Sequence, residues 1–120
     1  RPEVAQVLCP LLPGDSGHKL WRRDFAGGCG LFSVILKGTD PAASARLVDN
    51  LDLFGIGYSW GGYESLALPF DPSGIRDSMQ WPPPGVDEGS LLGVRLSIGL
   101  EDPEDLIADL EQGMTAMGSP

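Results

Sequence analysis

The segment from residue 91 to residue 110 contains two hydrophobic periodicities, one after the other. Apolar side chains alternate with small or polar ones over residues 92–98, which predicts a strand. Asp102 and Pro103 follow, residue types favoured at a helix N-cap and at the first helical position, and Asp105 completes a capping-box pattern. Apolar residues then recur at helical spacing, which predicts an amphipathic helix. Its apolar face comprises Leu106, Ile107, Leu110, Met114 and Met117.

Shorter apolar stretches earlier in the chain predict further strands and helices. The strands are predicted at residues 4–8, 31–37, 53–58 and 65–68. A helix at residues 18–25 is expected to be capped by Ser16 and to turn Leu20 and Trp21 towards the core. The pair Asp40-Pro41 precedes a second helix and repeats the capping pattern described above. The apolar face of that second helix comprises Ala43, Leu47, Val48 and Leu51.

This order of elements predicts an α+β fold in a single domain covering residues 1–120. We expect a two-layer sandwich, with a mostly antiparallel sheet and helices on one face. Residues 31–37 are apolar and partly β-branched, and they are the best candidate for a central strand. The proline-rich segment at 70–90 has no clear periodicity. A loop of this length in a compact domain is usually functional or packed against another part of the protein.

The charge balance limits the possible partners of the chain. It contains 17 acidic and 8 basic residues, with a formal net charge of −9, so it has no basic patch suited to nucleic acid or to an anionic membrane. The acidic residues are concentrated near the end of the sequence, where we expect a solvated helix face. They are Glu101, Asp102, Glu104, Asp105, Asp109 and Glu111.

Cysteine usage and the chain ends give further expectations. Cys9 and Cys29 do not have the spacing of a metal site or a redox motif, and we expect two buried thiols in a reducing cytoplasm. The sequence shows no signal peptide and no apolar run of membrane-spanning length. It begins Arg-Pro-Glu without an initiator Met, so we expect a piece of a longer protein.

Motifs for catalysis, cofactor binding and metal binding are absent or unconvincing. Residues 57–61 match G-x-S-x-G, but a nucleophile elbow needs a following helix and a downstream His, and His18 lies upstream. The glycines at 55 and 57 are not followed by a third at the spacing of a dinucleotide-binding loop. No set of metal ligands is apparent. We therefore expect no catalytic, cofactor-binding or metal-binding residue in this chain.

Arg95 and a group of aromatic residues remain as candidate binding features. Arg95 lies inside the predicted strand, where a guanidinium needs an anion. That anion could be a ligand carboxylate or a carboxylate of the chain itself. Tyr58, Trp60 and Tyr63 surround a glycine-rich turn, and they could be either core aromatics or part of a binding surface.

Three segments of the chain carry a family resemblance: RPEVAQVLCPLLPGDSGHKLWRRDFAGGCGLFSVIL at 1–36, GYSWGGYESL at 57–66 and RLSIGLEDPEDLIADLEQG at 95–113. They resemble the transsulfuration family, the pyridoxal-phosphate enzymes of cysteine and methionine metabolism. The Tyr-Ser-Trp-Gly-Gly sequence in the second segment is similar to the β-lyase members, whereas γ-type members tend to read Ser-Leu-Gly-Gly. The resemblance covers nearly the whole chain but only the C-terminal third of such an enzyme.

The resemblance implies a substrate-binding role for four residues. Arg95 would bind the substrate α-carboxylate with both ends of its guanidinium, Ser59 would lie beside the substrate, and Tyr58 and Trp60 would form pocket walls. The implied reaction is α,β-elimination of a sulfur amino acid, L-cystathionine, to homocysteine, pyruvate and ammonia. The implied fold is the C-terminal small domain of a fold-type I enzyme.

The resemblance also implies partners and a location. Pyridoxal phosphate would be bound by a large domain outside this chain, because neither Lys19 nor Lys37 resembles the Schiff-base lysine of the family, so the isolated chain would be inactive. The full-length protein would be a cytoplasmic homo-tetramer.

Three different functions are also compatible with the sequence. The first is that of a γ-type relative, namely cystathionine γ-synthase, cystathionine γ-lyase or methionine γ-lyase. The second is a free-standing regulatory module that binds an amino acid through Arg95. The third is an interaction domain that docks through its Tyr/Trp surface.

Overall fold

The structure, a computed structural model, describes residues 1–38, 40–71, 81, 86 and 92–118. The strands within these residues are β1 (Val4–Leu8), β2 (Leu31–Leu36), β3 (Gly55–Ile56), β4 (Leu66–Phe70) and β5 (Gly93–Ser97). The helices are α1 (His18–Asp24), α2 (Ala43–Asp49) and α3 (Pro103–Met117).

The strands form one sheet in the order β1-β2-β5-β4-β3. All neighbouring pairs are antiparallel except β3 and β4, which are parallel. Strand β5 is therefore the central strand, and β2, the strand predicted to be central, lies one position from it. The strand predicted at 53–58 is reduced to the two residues of β3. The expectation for the proline-rich segment falls mostly on residues outside the described part of the chain.

The hydrophobic core lies on one face of the sheet, beneath α2 and α3. In β5 the core side chains are Val94 and Leu96, each 2% exposed, and the period of two places them on the same face. Leu47 of α2 and Leu106 of α3 pack into the same cluster. This arrangement confirms the predicted α+β class and the mostly antiparallel sheet. The other buried members of the cluster are Val34, Leu36, Val48, Phe54, Ala67 and Met117.

The helix N-termini confirm one predicted cap and correct two others. Asp102 caps α3, and its Oδ1 accepts a hydrogen bond from Glu104 N at 2.8 Å. The N-cap of α2 is Ala42, whose N–H donates to Asp40 Oδ1 at 2.9 Å. The N-cap of α1 is Gly17 rather than Ser16, and the Asp15 carboxylate accepts the Gly17 N–H at 2.7 Å. A carboxylate is a stronger acceptor than the expected hydroxyl.

Several side chains predicted to be buried are exposed. Leu20 is 57% exposed because α1 is short and buries none of its residues. Ile107 is 58% exposed, because one residue step around a helix turns it away from buried Leu106. The prediction of two buried thiols is also wrong, since Cys29 is exposed and Cys9 is half-buried.

Asp109 contradicts the expectation of a fully solvated acidic helix face. It is only 5% exposed, and its carboxylate accepts the backbone N–H groups of Asp52, Leu53 and Phe54 at 2.8, 2.9 and 3.4 Å. These three residues connect α2 to β3, where the backbone has left the helix. Asp109 therefore caps this connection from the neighbouring helix.

No helix in residues 1–38, 40–71 or 92–118 combines the length and apolar character that a membrane span requires.

Candidate functional site

Arg95 lies on the face of the sheet opposite the core and contacts the connection between β3 and β4. Its strand neighbours are Ser33 on β2 and Leu68 on β4. The guanidinium Nη2 donates to the backbone carbonyl oxygens of residues 57, 58 and 59 at 3.2, 2.6 and 3.3 Å. We call residues 57–63 the aromatic turn. The central strand and the aromatic turn thus meet at the Arg95 guanidinium.

The electrostatic environment of Arg95 differs from that of Arg46, which is also half-buried. Arg46 forms an ion pair with Asp40, and its Nη2 donates to the Met117 carbonyl oxygen at 2.9 Å. Arg95 forms no ion pair with any described residue, and its buried Nε, like that of Arg46, has no hydrogen-bond partner. The internal ion pair that the sequence allows for Arg95 is thus not found in the described part of the chain.

The three aromatic side chains of the turn project into solvent. Tyr58 is 81% exposed, Trp60 64% and Tyr63 75%. The hypothesis that they are core aromatics is therefore wrong, whereas the alternative, a binding surface, stays a prediction with which this exposure agrees. Three large exposed rings within one short turn are more than the single apolar residues scattered over an ordinary surface, and such groups often mark a binding surface.

Of the four predicted site residues, Arg95, Tyr58 and Ser59 are joined by contacts of the Arg95 side chain with the backbone of the other two. The backbone oxygens of Tyr58 and Ser59 contact the Arg95 guanidinium, and Trp60 is the next residue in the turn. The side chains of Tyr58 and Trp60 extend into solvent from the same turn. The structure thus brings the Arg95 guanidinium to the backbone of Tyr58 and Ser59, with the exposed rings of Tyr58 and Trp60 on the same turn.

A polar contact between Ser65 and Glu101, missed by the sequence analysis, anchors the end of the aromatic turn. Ser65 is fully buried, and its N–H and hydroxyl donate to the Glu101 carboxylate oxygens at 2.8 and 2.7 Å. These two hydrogen bonds, the backbone N–H first, hold the pKa of Glu101 below its usual range. In the sequence Glu101 stands among the other acidic residues near α3, and no local signal distinguishes it from them. Its role could therefore not be predicted.

A cavity of about 490 Å³ adjoins Arg95 on the side of β1 and β2. Its polar wall residues include Gln6, Ser33 and Asp15, and Trp81 contributes an aromatic ring. The volume is large enough for an amino-acid-sized ligand. A second cavity of about 390 Å³ lies between α1 and residues 27–29, away from Arg95, and its walls are mostly apolar.

The surroundings of Lys19 and Lys37 differ from those expected of a Schiff-base lysine. Lys19 and Lys37 are both exposed, whereas a Schiff-base lysine is normally activated by desolvation or by a neighbouring cation. Lys37 lies four residues beyond Ser33, the residue paired with Arg95, which corresponds to about 13 Å along an extended strand. Among residues 1–38, 40–71 and 92–118 there is no group of three potential metal ligands.

Comparisons with known proteins give a consistent result. A family model described as Cys/Met metabolism PLP-dependent enzyme matches residues 1–115. The chain is 49% identical over 113 residues to cystathionine beta-lyase MetC of Escherichia coli (strain K12), and this match covers 93% of the chain. It is 51% identical over 114 residues to cystathionine beta-lyase of Salmonella typhimurium, again over 93% of the chain. The chain spans about 28% of the length of each of these relatives.

A solved structure from Campylobacter jejuni gives a similar result for the fold. That protein is assigned as an O-acetylhomoserine (thiol)-lyase and contains N'-pyridoxyl-lysine-5'-monophosphate. It matches with a TM-score of 0.71 and 29% sequence identity, over 96% of this chain and 24% of its own.

Proposed function

Because the chain belongs to the Cys/Met metabolism PLP-dependent enzyme family, we propose that it is the C-terminal substrate-binding domain of a cystathionine β-lyase-like carbon–sulfur lyase. The proposed reaction of the full-length protein is α,β-elimination of L-cystathionine to homocysteine, pyruvate and ammonia. The similarity to two cystathionine beta-lyases supports this choice within the family.

The observation that carries the proposal is the environment of the Arg95 guanidinium. Three backbone oxygens hold its Nη2, but carbonyl dipoles do not neutralise a full positive charge, and no described carboxylate does so. A substrate carboxylate would supply the missing negative charge. In the proposed contact Nη1 and Nη2 would each donate to one oxygen of that carboxylate, with one N–H of Nη2 turning from the backbone oxygens to the substrate. Such a bidentate contact fixes orientation as well as affinity.

The other proposed site residues act through position. Ser59 presents its backbone to Arg95 and would lie beside the bound substrate. The exposed rings of Tyr58 and Trp60 would form walls that exclude water around the substrate once the rest of the protein covers them. The same exposed surface would face the large domain of the polypeptide, which belongs to a homo-oligomer in our proposal.

In this proposal pyridoxal phosphate is held outside this chain, by the large domain, because Lys19 and Lys37 lack suitable surroundings. When bound, the cofactor supplies the electron sink for the elimination. The residues of this chain orient the substrate by its carboxylate and shield it from water.

The test is substitution of Arg95 in the full-length protein, with pyruvate release from L-cystathionine as the assay. Arg95→Ala should lower kcat/KM by about 30- to 1000-fold, which corresponds to about 2–4 kcal/mol for a charge-assisted, bidentate contact. Arg95→Lys should recover only part of that loss, since an ammonium group cannot hold both oxygens equally. Cofactor content should stay at the wild-type level.

Arg46→Ala is the matched control. Arg46 is also half-buried and also donates to a backbone carbonyl, but it lies between α2 and α3, so its loss should lower stability and leave kcat/KM unchanged. A strongly destabilised Arg95→Ala with normal kcat/KM in its folded fraction would contradict the proposed role.

The pyruvate assay also separates a second candidate function, a γ-type activity, which the match to an O-acetylhomoserine (thiol)-lyase supports. That activity would give no pyruvate by β-elimination.

A further inference from the structure

Strand β5 holds the aromatic turn through two side chains on the same face. Arg95 and Ser97 are two residues apart in the strand, so they project from one side of the sheet. Arg95 donates to the carbonyl oxygens of residues 57–59. Ser97 is 3% exposed, and its Oγ accepts the Gly61 N–H at 3.2 Å. The strand therefore holds the turn on both sides of Trp60.

The end of the turn is fixed to the connection between β5 and α3. Tyr63 O accepts the Leu100 N–H at 2.8 Å, and Ser65 Oγ accepts the Gly99 N–H at 2.8 Å. The two chain segments approach so closely that a Cβ at Gly99 would lie 2.3 Å from Tyr63 O. These contacts and the Ser65–Glu101 pair hold residues 63 and 65 only. The described hydrogen bonds that hold the middle of the turn come from Arg95 and Ser97.

Packing cannot position the middle of the aromatic turn. Its rings at residues 58 and 60 are 81% and 64% exposed, so they make few contacts with the rest of the chain. Gly61 has a φ of +80°, in the left-handed region that favours glycine, and Gly62 follows it. A segment with exposed side chains and adjacent glycines is ordered mainly by its hydrogen bonds.

We propose that Ser97 is a positioning residue for substrate binding by Arg95. The inference rests on the proposed function and adds a residue to it. The Ser97 hydroxyl fixes Gly61, and through it the three carbonyl groups that orient the Arg95 guanidinium. Without the hydroxyl the turn can move away from the strand, and the guanidinium then loses the acceptors that aim it at the substrate carboxylate.

The test is a double-mutant cycle in the full-length protein, with kcat/KM for L-cystathionine as the readout. Ser97→Ala should lower kcat/KM roughly 10-fold, since small displacements of a binding group can cost up to about 100-fold. Ser97→Thr retains the hydroxyl and should recover most of the loss. In an Arg95→Ala background, Ser97→Ala should cause almost no further loss, because its effect passes through Arg95.

Ser44→Ala is the matched control, since Ser44 is also buried, at 4% exposure, but lies on α2. It should leave kcat/KM unchanged, and thermal unfolding should show that both serine variants remain folded. A wild-type kcat/KM for Ser97→Ala would overturn the inference. Additive losses of kcat/KM, expressed as free energies, in the Ser97→Ala/Arg95→Ala double variant would also overturn it. If Arg95→Ala itself has a normal kcat/KM, the proposed function fails, and the role of Ser97 fails with it.

Discussion

Replacing Asp109 with Ala should lower the free energy of unfolding of this chain by about 3–4 kcal/mol. The carboxylate accepts the N–H groups of residues 52, 53 and 54, and it also accepts the Gln112 side-chain N–H at 3.0 Å. Each buried donor left without an acceptor costs about 1–3 kcal/mol. Asp52 and Leu53 are exposed residues, so water would replace part of the loss there, whereas Phe54 is 4% exposed and its amide would recover little.

The assay is urea unfolding followed by circular dichroism, supported by thermal unfolding. For a chain of 120 residues, a loss of this size corresponds to a fall in Tm of about 12–16 °C, from an unfolding entropy of about 2.1 cal/mol/K per residue. Asp109→Asn should also be destabilising, by at least about 2 kcal/mol, because it removes the charge and points an amide towards the same donors.

Glu111→Ala is the control for a general effect of removing an acid from α3. The Glu111 side chain is 58% exposed, and its ion pair with Arg1 has an N–O distance of 4.0 Å, so the expected change is within about 0.5 kcal/mol. If Asp109→Ala costs no more than Glu111→Ala, the carboxylate does not hold the connection between α2 and β3, and the reasoning is wrong.

Three further predictions concern the isolated chain. Incubation with pyridoxal phosphate should give no stoichiometric borohydride-trappable adduct on Lys19 or Lys37 and no cystathionine cleavage. An adduct measured by mass spectrometry would contradict the proposal that the cofactor is held outside this chain. Trp60→Ser should change the free energy of unfolding by less than about 0.5 kcal/mol because the ring is exposed, whereas Phe54→Ala should lower it by about 3–5 kcal/mol. Equal losses for the two variants in urea unfolding would be inconsistent with the fold. The pKa of Glu101 is lowered in the fold from an ordinary value of 4.5, so its contribution to stability is present above pH 4.5 and disappears as the pH falls through the lower folded value. Glu101→Gln should therefore flatten the acid limb of stability, and a Tm profile below pH 4.5 identical to that of the wild type would refute the assignment.

The elements that could be predicted from the sequence are those with a local cause. The alternation around Arg95 predicts β5, and the Asp102 cap with its following apolar spacing predicts α3, because strand and helix periods need only neighbouring residues. The position of β5 at the centre of the sheet could not be predicted in this way. It depends on pairing with β2 and β4, which are distant in sequence.

The residues of the candidate site also differ in whether their roles have a local cause in the sequence. Arg95 was identifiable because a guanidinium within a strand needs an anion, and the aromatic turn because three aromatic residues and several glycines stand close together. Asp109 and Glu101 were not identifiable. Their acceptor roles arise from donors 55 to 57 residues away for Asp109 and 36 residues away for Glu101, and their sequence neighbourhood is typical of a solvated acidic helix.

The contact between Arg95 and the substrate carboxylate can be measured by changing both partners. In the full-length protein, kcat/KM would be determined for L-cystathionine and for its analogue in which the α-carboxylate of the cysteine half is a neutral carboxamide. The wild type should favour the carboxylate by about 100-fold, and Arg95→Ala should reduce this preference to about 3-fold or less, which is a coupling energy of about 2 kcal/mol. Arg46→Ala should keep the wild-type preference. An undiminished preference in Arg95→Ala would mean that another group binds the carboxylate, and it would contradict the central claim.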